Sequence, residues 1–450
     1  MMRAVIRGEA VAALAVLGLA CGRVAEEDVD PVTTTPAAAA AGAHEGLIYG
    51  RVTMENGDVY EGRLRWGGDE EALWGNYFNG FEGDNPWIAH VPAELRPSER
   101  VSIGAFGFEL VGWDREIDLG RPLMVRFGDI ARIEPDGRVI RATLKSGAVI
   151  ELDRYAADDV ADGLRVWDDR LGEVDLGEWR IRSIELLPTP RLAAAPDPLH
   201  GTVRTASGDF TGFLQWDRRA TLAHDQLEGQ DDDGEMVGVP FSAIRSIARS
   251  STESARVTLV DGREVVLSGT RAVGQDRRGN INNGTYVDDP RYGRVLVSWS
   301  AFERVDFAAG GAPPAYDAFP PGSPLTGSVV TRSGRLLAGR LVYDLDESET
   351  TETLDAPSQG VDYTIPFGLV RSIVPAAAEE VGGQPAVVTL HSGEELRLGA
   401  FGDLGPGNAG VLIFPDGGAR PEYVPWADVE RVDLQQPPAM FPRAVIGSGR

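Results

Sequence analysis

The chain has 450 residues, of which 42% are hydrophobic and 25% charged, enough apolar material for about three globular domains. Its formal charge of −26 has the wrong sign for a surface that tracks phosphates, which argues against nucleic acid as a partner and favours cations or basic surfaces. A single cysteine excludes an internal disulfide framework and a cysteine-based zinc site.

Residues 1–20 have the layout of a secretory signal peptide: Arg3 and Arg7 precede an apolar run from Ala10 to Ala20 that is too short to span a bilayer. Cys21 follows at once. The segment Leu17-Gly18-Leu19-Ala20-Cys21 resembles the lipobox of bacterial lipoproteins. That resemblance implies cleavage before Cys21, a lipid on its thiol, and a mature protein held at the bacterial cell envelope, on the periplasmic or cell-surface side. Residues 21–46 are rich in Ala, Thr, Pro and acid, with no periodicity, and read as a disordered tether that holds the folded part off the bilayer.

From Gly50 the sequence GRVTMENGDVYEGRLRW alternates apolar and polar residues on both sides of an Asn-Gly turn, the pattern of a β-hairpin. It recurs as GTVRTASGDFTGFLQWD from Gly201 and as GSVVTRSGRLLAGRLVYD from Gly327. A glycine occupies the turn in each copy (Gly57, Gly208, Gly334), where it supplies a positive φ. A second glycine lies inside the following strand (Gly62, Gly212, Gly339), marking a bulge or a sharp bend. Each unit closes on a shared phrase: VRFGDIARI from Val125, VPFSAIRSI from Val239 and IPFGLVRSI from Ile365. The threefold spacing Phe127/Ile130/Ile133, Phe241/Ile244/Ile247 and Phe367/Val370/Ile373 predicts one short turn leading into a buried strand.

A related unit alternates with the first. It opens as RATLKSGAVIEL from Arg141, RVTLVDGREVVL from Arg256 and VVTLHSGEELRL from Val387, and closes as WSAFERVDF from Trp299 and WADVERVDL from Trp426. Its first closing, EWRIRSIEL, is one residue out of step around Trp179. Residues 188–199 and 309–324 are rich in Pro and Ala and read as linkers. They divide six modules into pairs at 47–187, 200–308 and 325–434, followed by a disordered tail at 435–450.

The strand-turn-strand opening, ornamented middle and short closing strand resemble SH3-like small barrels, Sm-like ones included. The resemblance implies an all-β protein of six repeated SH3-like or Sm-like barrel modules paired into three domains; six repeats also admit a six-bladed β-propeller. The RNA-binding positions of Sm proteins are absent, since no Asp-x-x-Met-Asn follows Trp66, Trp216 or Tyr343.

The repeat is interrupted once, at residues 75–120. Candidate binding residues there are Tyr77, Phe78, Trp87, His90, Trp113 and Asp114, because aromatic faces beside carboxylates suit a sugar ring or a basic peptide. The competing reading is a second small core for the insertion itself. Asp231-Asp232-Asp233-Gly234-Glu235 and Asp344-Leu345-Asp346-Glu347 lack the spacing of a preformed calcium loop and read as solvated acidic loops. The five histidines stand singly, no nucleophile motif is present, and neither a metal nor a cofactor is expected. These features point to a lipid-anchored envelope protein that binds or scaffolds without catalysis, its partner an envelope protein or glycan. The alternative is a carboxylate-dependent hydrolase of envelope glycans, which requires acidic groups from the insertion and a neighbouring module to meet in one pocket.

Overall fold

The alternating segments around each glycine turn form antiparallel strand pairs in the computed structural model, which describes residues 42–437 except 68–69, 97, 106–107, 117–120, 157–162, 193–196 and 377–384. Between residues 98 and 116 it describes the backbone alone. The leader, Cys21, most of the tether and most of the tail lie outside the described residues. No helix among the described residues is long and apolar enough to cross a membrane.

The protein is all-β. The first copy of the repeat comprises β1 (Tyr49–Met54), β2 (Val59–Trp66), β3 (Tyr77–Glu82), β4 (Ser98–Ala105), β5 (Phe108–Glu116), β6 (Arg121–Arg126), β7 (Ile130–Asp136), β8 (Val139–Leu144), β9 (Val149–Asp153), β10 (Leu164–Asp168), β11 (Gly172–Leu176) and β12 (Ile181–Leu186). The second comprises β13 (His200–Thr205), β14 (Gly208–Trp216), β15 (Gln226–Gln230), β16 (Met236–Pro240), β17 (Ile244–Arg249), β18 (Ser254–Leu259), β19 (Glu264–Ser268), β20 (Thr285–Asp289), β21 (Gly293–Val297) and β22 (Phe302–Phe307). The third comprises β23 (Thr326–Thr331), β24 (Leu336–Tyr343), β25 (Thr353–Ser358), β26 (Val361–Pro366), β27 (Val370–Val374), β28 (Ala386–Leu390), β29 (Glu395–Leu398), β30 (Val411–Phe414), β31 (Glu422–Val424) and β32 (Val429–Leu434).

One strand order recurs in all three copies. It reads β11-β10-β2-β1-β12-β7-β8-β9 in the first, β21-β20-β14-β13-β22-β17-β18-β19 in the second and β31-β30-β24-β23-β32-β27-β28-β29 in the third. The odd and even units are therefore interleaved: β2 of the odd opening hairpin pairs with β10 of the even unit, and the even closing strand β12 lies between β1 and β7. The second sheet extends to twelve strands, with β15-β16 joining β19 at one end and β26-β25 of the third copy joining β21 at the other. None of these sheets is a closed barrel, which differs from the expectation of closed small modules. Each opening hairpin pairs at both edges with strands of the even unit, as β1 with β12 and β2 with β10, instead of closing on its own unit. Sheets of eight and twelve strands are also unlike the four-stranded blades of a propeller.

The repeated glycines have two separate causes. Gly57, Gly208 and Gly334 take φ of 90°, 142° and 84° in their turns. Gly62, Gly212 and Gly339 sit where two strands touch: a Cβ there would lie 2.0, 1.9 and 2.2 Å from the carbonyl oxygens of Trp167, Asp288 and Phe414. The closing phrase forms a 3-10 turn (Phe127–Asp129, Phe241–Ala243, Phe367–Leu369) followed by a strand with a β-bulge. The extra residue of the bulge is what keeps Ile130 and Ile133 on one buried face of a structure whose side chains otherwise alternate.

The core of the first copy gathers Trp66, Phe78 and Phe127, with ring centroids 5.5–6.2 Å apart. A larger core runs through the second and third copies and contains Trp216, Phe241, Trp299, Tyr343, Phe367 and Trp426. Trp179 is 60% exposed, because Glu178 takes the sequence place that Trp299 and Trp426 hold in the later copies. The segment at 309–324 is more than a spacer: Tyr316 and Phe319 are buried in the first core, where Tyr316 Oη donates to Ile130 O (2.7 Å) and Lys145 Nζ donates to Tyr316 O (2.6 Å) and Phe319 O (3.0 Å).

Candidate functional site: an acidic cavity between the insertion and the third copy

The insertion leaves the first copy as the β3–β6 hairpin, whose register pairs Phe78 with Val125, Asn79 with Met124 and Glu82 with Arg121. Phe78, Leu123 and Val125 face the first core, and Gly80 rests on Leu152. Beyond the hairpin the chain docks on the third copy. Asn85 caps the short turn Pro86–His90, accepting from Trp87 N (2.9 Å), and its Nδ2 donates to Leu345 O (2.9 Å). The half-buried Trp87 packs edge-on to Phe414 at 6.0 Å, beside Val91, Val342, Leu345 and Leu412. Exposed His90 meets the same Phe414 ring at 5.2 Å.

Of the six residues singled out in the sequence, Tyr77 and Phe78 are thus buried, at 3% and 0% exposure, and Trp87 and His90 sit at the junction with the third copy. The side chains of Trp113 and Asp114 lie outside the described residues; their backbones pair with Val101 and Arg100 in the β4–β5 hairpin.

Where the hairpin meets the third copy it covers a cavity of about 440 Å³. Six carboxyl groups line it, from Asp344, Asp346, Glu347, Glu352, Asp355 and Asp403, against the single guanidinium of Arg121. The turn after β24 positions the first three, with Asp344 and Leu345 both at φ 53°. Glu352 immediately precedes β25 and Asp355 lies within it, and Asp403 comes from the 3-10 turn Gly402–Leu404.

Each group has an identifiable set of partners. Arg121 donates through Nε to Asp346 Oδ1 (2.8 Å) and through Nη2 to Asp346 O (3.0 Å), and lies 3.4 Å from Glu82 and 3.7 Å from Glu352. Glu352 accepts from the backbone N–H groups of Ser348 and Glu349, and Asp344 accepts from that of Ala409. Asp403 accepts from Asp355 N (2.6 Å), whereas Glu347 Oε2 is buried with no hydrogen-bond partner.

Burial pushes the Asp344 and Glu352 carboxyls up to about 7, and backbone N–H donors only partly offset it. Burial, reinforced by neighbouring carboxylates, holds Glu347 and Asp403 well above the usual range. Burial raises Asp346 and Asp355 as well, although Arg121 opposes it at Asp346. The cavity is thus a place where negative charge is suppressed by proton uptake. Proton donors and acceptors poised near neutrality, or a receptor for positive charge, are the two things such an arrangement provides.

The stretch Asp344-Leu345-Asp346-Glu347 is therefore not a solvated acidic loop. The insertion covers it, a contact between segments more than two hundred residues apart. The other acidic run behaves as read: Asp232, Asp233 and Glu235 are exposed in the β15–β16 turn, where Asp231 Oδ1 accepts from Asp233 N and Glu235 N. Sequence reasoning missed Arg121, Glu352, Asp355 and Asp403. One signal was present: the third copy places Asp344-Leu345-Asp346-Glu347 where the second has Asp217-Arg218-Arg219-Ala220, a charge reversal at an equivalent turn.

The fold and site define an all-β protein with an acidic inter-repeat cavity. Comparison of the chain with protein-family models, with curated proteins and with solved structures found no match.

Proposed function

We propose that this is a cell-envelope binding protein, anchored through lipid on Cys21, that holds a positively charged organic group of an envelope protein or glycan in the acidic cavity. The observation that carries the reading is the excess of six carboxyls over one guanidinium in a space of about 440 Å³. Arg121 already illustrates the preferred occupant, a nitrogen cation shared between Asp346 of the β24 turn and Glu352 just before β25. A point metal ion fits less well, since no group of three or more His, Cys, Asp or Glu among the described residues is arranged to hold one. An amine or guanidinium spreads its charge over a larger volume, as this lining does.

Calorimetric titration with trilysine at pH 8 tests the site. The D344N/E352Q variant is expected to bind at least tenfold more weakly; equal affinity contradicts the assignment. The anchor is tested separately by labelled fatty acid, which is expected to enter the wild type and not Cys21→Ser. Equal labelling of the two sinks that part.

One observation favours hydrolysis as a second reading: Asp344 and Glu352, both at about 7, line the same cavity and suit proton donation and removal at neutral pH. Wild-type release of reducing ends from an envelope glycan, lost in D344N, would replace binding by catalysis.

A further inference from the structure

The second copy carries a cavity of its own at the equivalent turn, with the opposite charge. Asp217 and Arg218 follow β14 with φ of 50° and 58°, as Asp344 and Leu345 follow β24. The cavity, about 390 Å³, adjoins the acidic one along the same hairpin, and the cross-strand pair Asn79 and Met124 lines both spaces. Its charged lining is Arg218, Arg219 and Arg294, opposed by Glu70 alone.

Arg294 is the deep group, 8% exposed, its guanidinium 3.9 Å from the Tyr77 ring centroid and 4.5 Å from that of Tyr286. Its Nη1 donates to Gly75 O (3.3 Å), but its buried Nε has no partner. Asn76, 4% exposed, spends Nδ2 on Gln215 Oε1 (3.4 Å) and leaves its buried Oδ1 unpartnered. Arg218 and Arg219 are exposed at the mouth and form no ion pair among the described residues. A buried guanidinium edge with a free N–H and a free amide oxygen on Asn76, beneath two exposed arginines of which Arg218 lies over the Tyr286 ring, is a lining with a donor, an acceptor and an excess of positive charge to offer.

We propose that this cavity binds the oxyanion of an acidic sugar, a sugar carboxylate or sugar phosphate, with Arg294 and the two mouth arginines on the anion and the amides of Asn76, Gln215 and Asn283 facing its hydroxyls. The site adjoins the acidic cavity, but the proposal does not rest on the function proposed for that cavity. Arginine is suited to this because its planar fork matches two oxygens of a carboxylate or phosphate.

Calorimetry with glucuronate and with glucose 6-phosphate, against neutral glucose, tests the proposal and distinguishes the two sources of the anion. At least one of the two acids is expected to bind the wild type, glucose at least tenfold more weakly. R218A/R219A alters only exposed side chains and is expected to weaken the acid at least tenfold while leaving trilysine affinity unchanged. Binding of neither acid, equal binding of glucose, or undiminished affinity in R218A/R219A would overturn it.

Discussion

Asp344 and Glu352 connect single residues to the pH behaviour of the protein. In the unfolded chain they ionise near 3.8 and 4.5, whereas in the fold they keep their protons up to about 7. Between those limits the folded state binds more protons than the unfolded state. The stability these groups contribute is complete below their unfolded values and is lost as pH rises through about 7. Each is expected to account for a loss on the order of 3–4 kcal/mol across that window. D344N has no charge to bury, so thermal melts should show its advantage over wild type growing from pH 4 to pH 8. A wild-type-to-variant difference that stays constant across this range contradicts the assignment. None of this was legible from the local sequence, because an acidic turn looks the same whether water or a hairpin from another repeat covers it.

At the scale of elements the sequence is a better guide. Asn56-Gly57 marks a hairpin turn, and the Phe-x-x-Ile spacing marks a turn entering a strand, because both signals are local consequences of backbone geometry. Gly212 is the instructive half-success: it was expected to mark a bend, and the structure shows a contact with the Asp288 carbonyl across neighbouring strands. The partner strand is far away in sequence, so only the need for a missing Cβ was readable. The segment at 309–324 shows the same limit, since its Pro-rich composition indicates a connection and says nothing of the surface to which it binds. Phe319 is 8% exposed and packs in the first core. Phe319→Ala is expected to cost about 3 kcal/mol in denaturant unfolding of the first core; a loss below about 0.5 kcal/mol, typical of a surface residue, contradicts that packing.

Across the whole molecule, three copies of one strand order are joined by hairpins that leave their own copy. The β25–β26 hairpin extends the sheet of the second copy, and the β3–β6 hairpin lies against both later copies. All-β character and the odd-even alternation follow from sequence patterns, but the interleaving of units does not, because exchanging equivalent hairpins leaves every local pattern unchanged. The equivalent turns after β14 and β24 share their backbone and differ in charge, so the β3–β6 hairpin borders a basic space and an acidic one.

A positive group brought among protonated carboxyls lowers their proton affinity, so binding must expel protons. Calorimetric titration of trilysine at pH 6.5 in two buffers of different ionisation enthalpy measures that release. The expected result is about one proton or more set free per trilysine bound, falling towards zero in D344N/E352Q. Trilysine binding with no proton release in the wild type would contradict the account.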